Sequence, residues 1–289
     1  MDGEMMRKQI IIVTMLIGMI VLLGGCDVNS NSYSERLYQA IVNGDKEQFD
    51  AILKEGGDVN ELRSEESNSK KGILGRILSN TDYENVYPLE IACQKSPEMA
   101  YALLEAGADV SVVDPYLDST PLLYALSSNH PERFELAAEL IKRGADVNHI
   151  DRNKRIAVNS AVHTLKGDSD ETKQQSFELL KELLATTDMN EVITNSSSNP
   201  LREAAKYGNC DAIDYILEQG IIDINLETDG MTPLMIAVIG KNTDACRLLL
   251  EKGADSSIVS KEGKTAYNYA EESNNEELMD LLKNYSGCD

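Results

Sequence analysis

The residues of this 289-residue chain whose types could do chemistry are five cysteines, three histidines and one short acidic run. A thiolate is a nucleophile and, with imidazole, a zinc ligand, but both roles need partners placed close by. His130, His149 and His163 stand in separate segments with no HExxH pattern or histidine cluster, and the chain has neither a GxSxG elbow nor a GxxxxGK phosphate loop. Asp168-Ser169-Asp170-Glu171 has the acids of a calcium loop without its glycine or its later glutamate, so it reads as a solvated acidic loop. Cys93 follows Ala92, and Cys246 sits in an apolar stretch, so both read as small core residues. With Cys210 and Cys288 they permit three disulfide pairings, and no spacing dictates one. The sequence therefore predicts no catalytic site, no metal site and no cofactor. An enzyme built from carboxylates that meet across distant segments is the one catalytic reading left open.

The fifth cysteine has a different setting. Arg7 and Lys8 precede an apolar run from Ile10 to Leu23, which leads directly into Gly24-Gly25-Cys26. Basic residues, a short apolar run and then small residues make the pattern of a signal peptide, here residues 1–25. The run is shorter than the roughly 20 residues that span a bilayer. Its end resembles the bacterial lipobox, and that resemblance implies that Cys26 takes a diacylglyceryl thioether, is acylated with chains such as palmitate, and becomes the mature N-terminus. At about 0.8 kcal/mol per buried methylene, two acyl chains hold a protein on a membrane where one would exchange. Residues 26–33 then form a tether; from Asp27 to Ser34 it reaches ~25 Å at about 3.3 Å per residue. The expected location is the extracytoplasmic face of the cell membrane or envelope.

The elements behind these residues come from a repeat. Openings at Pro88 and Pro121 lie 33 residues apart, as do those at Pro200 and Pro233, and Thr232 and Thr265 repeat the interval. Closings such as Gly107-Ala108-Asp109-Val110-Ser111, Gly144-Ala145-Asp146-Val147-Asn148 and Gly253-Ala254-Asp255 recur between them. A period in this range signals a solenoid. Threonine before proline fits an N-cap and first helical position, because the hydroxyl satisfies an orphan amide and a missing N–H costs nothing there. Small residues at Ala92, Ala125, Ala161, Ala204, Ala237 and Ala270 suit an inner helix that approaches its neighbours closely. Glycine at Gly107, Gly144, Gly220 and Gly253 suits the left-handed residue that ends an outer helix.

On these pieces the chain resembles the ankyrin repeat family. The resemblance implies an all-α solenoid of about seven helix-turn-helix units with β-turn fingers, covering 34–60, 87–111, 119–148, 155–190, 199–225, 231–257 and 264–286. Residues 287–289 are a tail. The first, fourth and seventh units are imperfect, and Lys264 to Asn284 looks like the polar cap that such an array needs at its end. The family's T-P-L-H-x-A histidine is absent; Glu90, Leu123, Asn159, Arg202, Met235 and Asn268 stand in its place. Two insertions break the period, at about 61–86 and 165–173. In the first, Ile73, Leu74, Ile77 and Leu78 share one face of a short helix, which either packs back on the first repeats or forms an apolar partner patch.

Charge bounds the partner. With 27 basic and 49 acidic residues the net charge is -22, and the two acids and two bases of the signal segment leave it unchanged on cleavage. Nucleic acid and anionic lipid are repelled, while a basic protein is attracted; solubility of a surface-rich solenoid explains the charge equally well. The resemblance implies contacts from fingers and inner helices along a concave groove, with no small-molecule substrate. Candidate positions are Asp114, Tyr116 and Asp118 on one finger, Arg152 and Arg155 on the next, and Glu227 and Asp229 further along. The expectation is a membrane-anchored protein-interaction lipoprotein, with two narrower versions: an immunity or inhibitor protein that neutralises a basic toxin or enzyme, and an envelope scaffold or stress-protection factor.

Overall fold

A computed structural model of the chain describes residues 32–63, 86–163, 169–195 and 198–286. Cys26, the signal peptide, residues 64–85 of the first insertion with its four apolar residues, and Cys288 lie outside the described residues. Fifteen helices are described, fourteen of them in seven antiparallel pairs: α1 (Tyr33–Asn43) with α2 (Lys46–Lys54), α3 (Pro88–Lys95) with α4 (Pro97–Glu105), α5 (Pro121–Leu126) with α6 (Arg133–Lys142), α7 (Ala157–Ala161) with α8 (Asp170–Thr186), α10 (Pro200–Tyr207) with α11 (Cys210–Glu218), α12 (Pro233–Ile239) with α13 (Thr243–Glu251), and α14 (Ala266–Glu272) with α15 (Glu276–Ser286). The unpaired helix is α9 (Met189–Asn195).

The inner helices begin where the proline rule places them. Thr120, Asn199, Thr232 and Thr265 each accept the backbone N–H three residues on, and Pro121, Pro200 and Pro233 take the first helical position. Successive inner helices α1, α3, α5, α7, α10, α12 and α14 pack against one another along the stack. The six alanines of the repeat are fully buried at these contacts, and a larger side chain would push neighbouring helices apart. Leucines beside the prolines, Leu89, Leu122, Leu201 and Leu234, fill the same layer. Outer helices supply the second layer through residues such as Leu103, Leu140, Ile216 and Leu249.

The closing motif has a physical job in the five units that carry it. Asp58, Asp109, Asp146, Asp223 and Asp255 each accept the N–H two residues on, a turn that redirects the chain after the outer helix. Gly107, Gly144, Gly220 and Gly253 all have positive φ, between 64° and 97°. Asparagine then links units: Asn60 accepts the N–H of Asp109, Asn148 that of Asp188 and Asn225 that of Asp255.

Three departures from the sequence reading have local causes. The first unit starts at Ser32, not at 34, because the Ser32 hydroxyl caps α1 and the Tyr33 ring packs on Gly57. Residues 170–173, expected in a polar insertion, form the first turn of a 17-residue α8 capped by Ser169. Without a glycine to close it, the fourth unit continues past Thr187 into α9. Among the described residues no helix is long and apolar enough to cross a membrane.

Candidate functional site

Three of the fingers are each organised around one buried acceptor. Asp114, 1% exposed, accepts the N–H groups of Tyr116 and Leu117 at 2.8 Å, that of Ser119 at 3.3 Å and the Tyr124 hydroxyl at 3.2 Å. Asp151, 2% exposed, accepts the Arg155 N–H at 2.8 Å and its Nε–H at 2.7 Å, and in the last finger the Ser260 hydroxyl accepts from Glu262 and Lys264. Asp114 is therefore not available to a partner: its carboxylate shapes the finger from inside. The signal was present in the sequence, since Asp114, Asp151 and Ser260 stand six or seven residues before an inner helix.

A second register position sets the finger turn. Asp118, Lys154, Gly230 and Gly263 each lie three residues before an inner helix, and each has positive φ, at 55°, 62°, 77° and 72°. Asp118 is thus held by its backbone, and its carbonyl accepts the His149 Nε2–H at 2.5 Å. Asp229 and Gly230 both have positive φ and join Thr228 to Met231 in a tight turn.

Of the candidate contacts, the structure brings Tyr116 and Arg152 together. Tyr116 is 65% exposed, its carbonyl accepts from the exposed Arg152 guanidinium at 2.7 Å, and the Arg152 N–H binds the Leu117 carbonyl. Arg155 differs from its place in the sequence reading. Its Nε–H is bound to Asp151, and its two terminal nitrogens donate to the Ser127 hydroxyl at 2.7 Å and the Ser119 hydroxyl at 3.3 Å, so it braces three segments. Glu227 and Asp229 are exposed, but they stand on a finger beyond α9, apart from the Tyr116–Arg152 pair.

The concave surface also has residues that periodicity did not single out. Ser127, His163, Lys206, Ile239 and Glu272 each fall six residues after the first residue of an inner helix, and all are partly or fully exposed. Arg155, His163, Lys206 and Tyr207 line a pocket of about 350 Å³ together with Leu126, Lys154 and Glu203. The His163 ring stacks on Tyr207 at 4.1 Å, and the Lys206 ammonium lies 4.9 Å from the Tyr207 ring centre. Burial pulls the Lys206 ammonium down, but Glu203 and the Tyr207 hydroxyl outweigh it and raise it above the usual lysine value. It is a cation at neutral pH.

Loss of the family histidine is met differently at each position. Asn159 donates to the Ser198 carbonyl at 3.1 Å, and the Asn268 carboxamide accepts from Thr265. Glu90 is fully buried; one carboxyl oxygen accepts the Tyr87 N–H at 2.8 Å, and the other has no hydrogen-bond partner. Burial pushes its carboxyl up to about 8; the Tyr87 N–H works against this and the Asp114 charge adds to it. Cys93 and Cys246 are buried thiols in the core, and burial pushes Cys246 up to about 12, far from a reactive thiolate.

Comparison with known proteins gives one consistent answer. Residues 171–260 and 221–289 match a family model described as ankyrin repeats (3 copies), and 118–152 match the single ankyrin repeat. The human ASB11 ankyrin repeat domain superposes with a TM-score of 0.61 at 23% identity, covering 88% of this chain and 98% of that one, a likeness of fold alone. The ankyrin repeat protein EF0377 superposes at 0.52 with 30% identity, covering 68% of this chain and 96% of that one. Among curated proteins, dauer abnormal formation protein 25 of Caenorhabditis elegans is 34% identical over 96 residues, 32% of this chain and 24% of that protein. The BTB/POZ domain and ankyrin repeat-containing protein NPR1 of Malus hupehensis is 38% identical over 90 residues, 31% of this chain and 15% of that protein. The matched segments thus cover less than a quarter of these curated relatives.

Proposed function

The chain belongs to the ankyrin repeat family, whose arrays are protein-interaction scaffolds, and from that premise we propose that it is a lipid-anchored envelope protein that binds a protein partner through its concave face. The observation that carries the binding face is the finger of residues 114–119. A 65% exposed tyrosine stands there on a finger whose own carboxylate is fully used internally, so the ring is presented by a rigid turn. Aromatics so placed are common interface anchors. Anchoring rests on the sequence: Arg7 and Lys8, the apolar run from Ile10 to Leu23, and Cys26 after two glycines. Metabolic labelling with a palmitate analogue tests it. The wild-type chain is expected to take the label and sediment with membranes, and Cys26→Ala to lose both; a variant that still sediments would remove the lipid anchor.

The net charge of -22 favours one narrower version, in which the partner is a basic toxin or enzyme that this protein neutralises. Co-expression with such a toxin is expected to restore growth, and unchanged toxicity would exclude it.

A further inference from the structure

The middle of the groove has the opposite sign to the rest of the chain. Three cations, Lys154, Arg155 and Lys206, line one pocket there with a single acid, Glu203. Asp151 is buried under Arg155. Glu203 accepts from the Ser198 hydroxyl at 2.5 Å and pairs with Lys206 at 3.4 Å and Arg202 at 3.7 Å. Arg155 is held in a fixed orientation by Asp151, Ser127 and Ser119, which use three of its five N–H donors. Its side chain remains 31% exposed, and two of its N–H donors are not used by these bonds. Beside it the stacked His163 and Tyr207 rings form an aromatic wall.

We propose that this pocket takes a carboxylate from the bound partner, set between Arg155 and Lys206 with its hydrocarbon stem against the His163–Tyr207 stack. The proposal rests on the protein-binding reading and names the chemistry of its central contact. The partner is then a protein that offers an acidic residue in an exposed segment, or its own C-terminal carboxylate, at the middle of the groove. A preoriented guanidinium suits a planar carboxylate better than a mobile ammonium does, since less side-chain freedom is lost on binding. Long-range repulsion from the acidic chain does not prevent this, because at physiological salt charges more than about 8 Å away are largely screened. A local contact of this sign fixes register at the middle of the groove.

The test uses the full chain and Gly/Ser octapeptides that carry an uncharged BODIPY fluorophore, read by fluorescence anisotropy at physiological salt. One carries two central glutamates and an amidated C-terminus, a second has glutamine in their place, and a third has no acid except a free C-terminal carboxylate. A hydrogen bond to a charged group contributes about 1.5–3 kcal/mol, so the glutamate peptide is expected to bind about tenfold or more tighter than the glutamine peptide. Lys206→Glu is expected to abolish that difference. Arg247→Glu, the same change of charge on the exposed face of an outer helix, is expected to leave it within about twofold. Tight binding of the third peptide would identify the C-terminal carboxylate as the source. Equal binding of glutamate and glutamine peptides, equal weakening by both variants, or no binding of any peptide would overturn the proposal. None of these results touches the protein-binding reading, which fails only if the wild-type chain has no protein partner on its groove.

Discussion

Glu90→Gln should stabilise this protein, and by an amount that depends on pH. Glu90 is fully buried on α3, one of its oxygens has no partner, and the charge of Asp114 bears on it. The folded chain holds its proton up to a pKa of about 8, whereas an unfolded glutamate releases it near 4.5. Between those values the native state binds the extra proton, so Glu90's contribution to stability is greatest below pH 4.5, falls as pH rises, and levels off above about 8. At about 1.36 kcal/mol per pKa unit the cost is about 3 kcal/mol at pH 7 and about 5 kcal/mol at pH 9. Glutamine has the shape of the neutral acid and can accept the Tyr87 N–H without that cost. With a urea slope of about 2–3 kcal/mol per molar for a chain of this size, the midpoint should rise by about 1 M at pH 7. Far-UV circular dichroism reads this directly, the chain having no tryptophan. The gain should vanish near pH 4.5 and grow at pH 9. A less stable variant at pH 7, or a gain that is the same at every pH, would refute the reasoning.

Other perturbations follow from the finger geometry and the stack. Asp114→Ala leaves three N–H groups and the Tyr124 hydroxyl without their acceptor, so a loss of about 3 kcal/mol is expected, with faster amide exchange at residues 116–119. Asp118→Gly relieves a positive φ of 55° and should raise stability by about 1 kcal/mol in the same urea assay while leaving partner capture intact. Leu201→Ala, at a fully buried position in α10, should cost about 2–5 kcal/mol, seen as a lower thermal midpoint.

The repeat itself was legible because its physics is local. Pro88, Pro121, Pro200 and Pro233 open their helices and the glycines after the outer helices have positive φ for reasons contained within one unit, and the six alanines lie in inner-helix contacts that recur between adjacent units. The fourth unit was less legible because its boundaries depend on a missing glycine, and a chain without that stop continues as α9. The surface was harder still. Asp114 and Tyr116 are two residues apart on a polar loop, and only the turn geometry decides that one faces in and the other out. Arg155 reads as part of a basic island until Ser119 and Ser127, from the neighbouring unit, are seen to hold it. The pocket of His163, Lys206 and Tyr207 needs the stacking of two units whose intervening sequence is irregular, so no single period displays it.

The most direct measurement of the central claim is affinity capture from cross-linked native membranes with the full chain as bait, beside a groove variant and an outer-helix variant. The groove variant is Tyr116→Ala with Arg152→Glu, both exposed and with side chains outside the bonds that hold Asp114 and Arg155; the outer-helix variant is Arg247→Glu. A binding module that uses its concave face should yield a defined protein partner with the wild-type and Arg247→Glu chains and lose it with the groove variant. A partner retained by the groove variant and lost with Arg247→Glu, or no partner for the wild-type chain, would contradict the account.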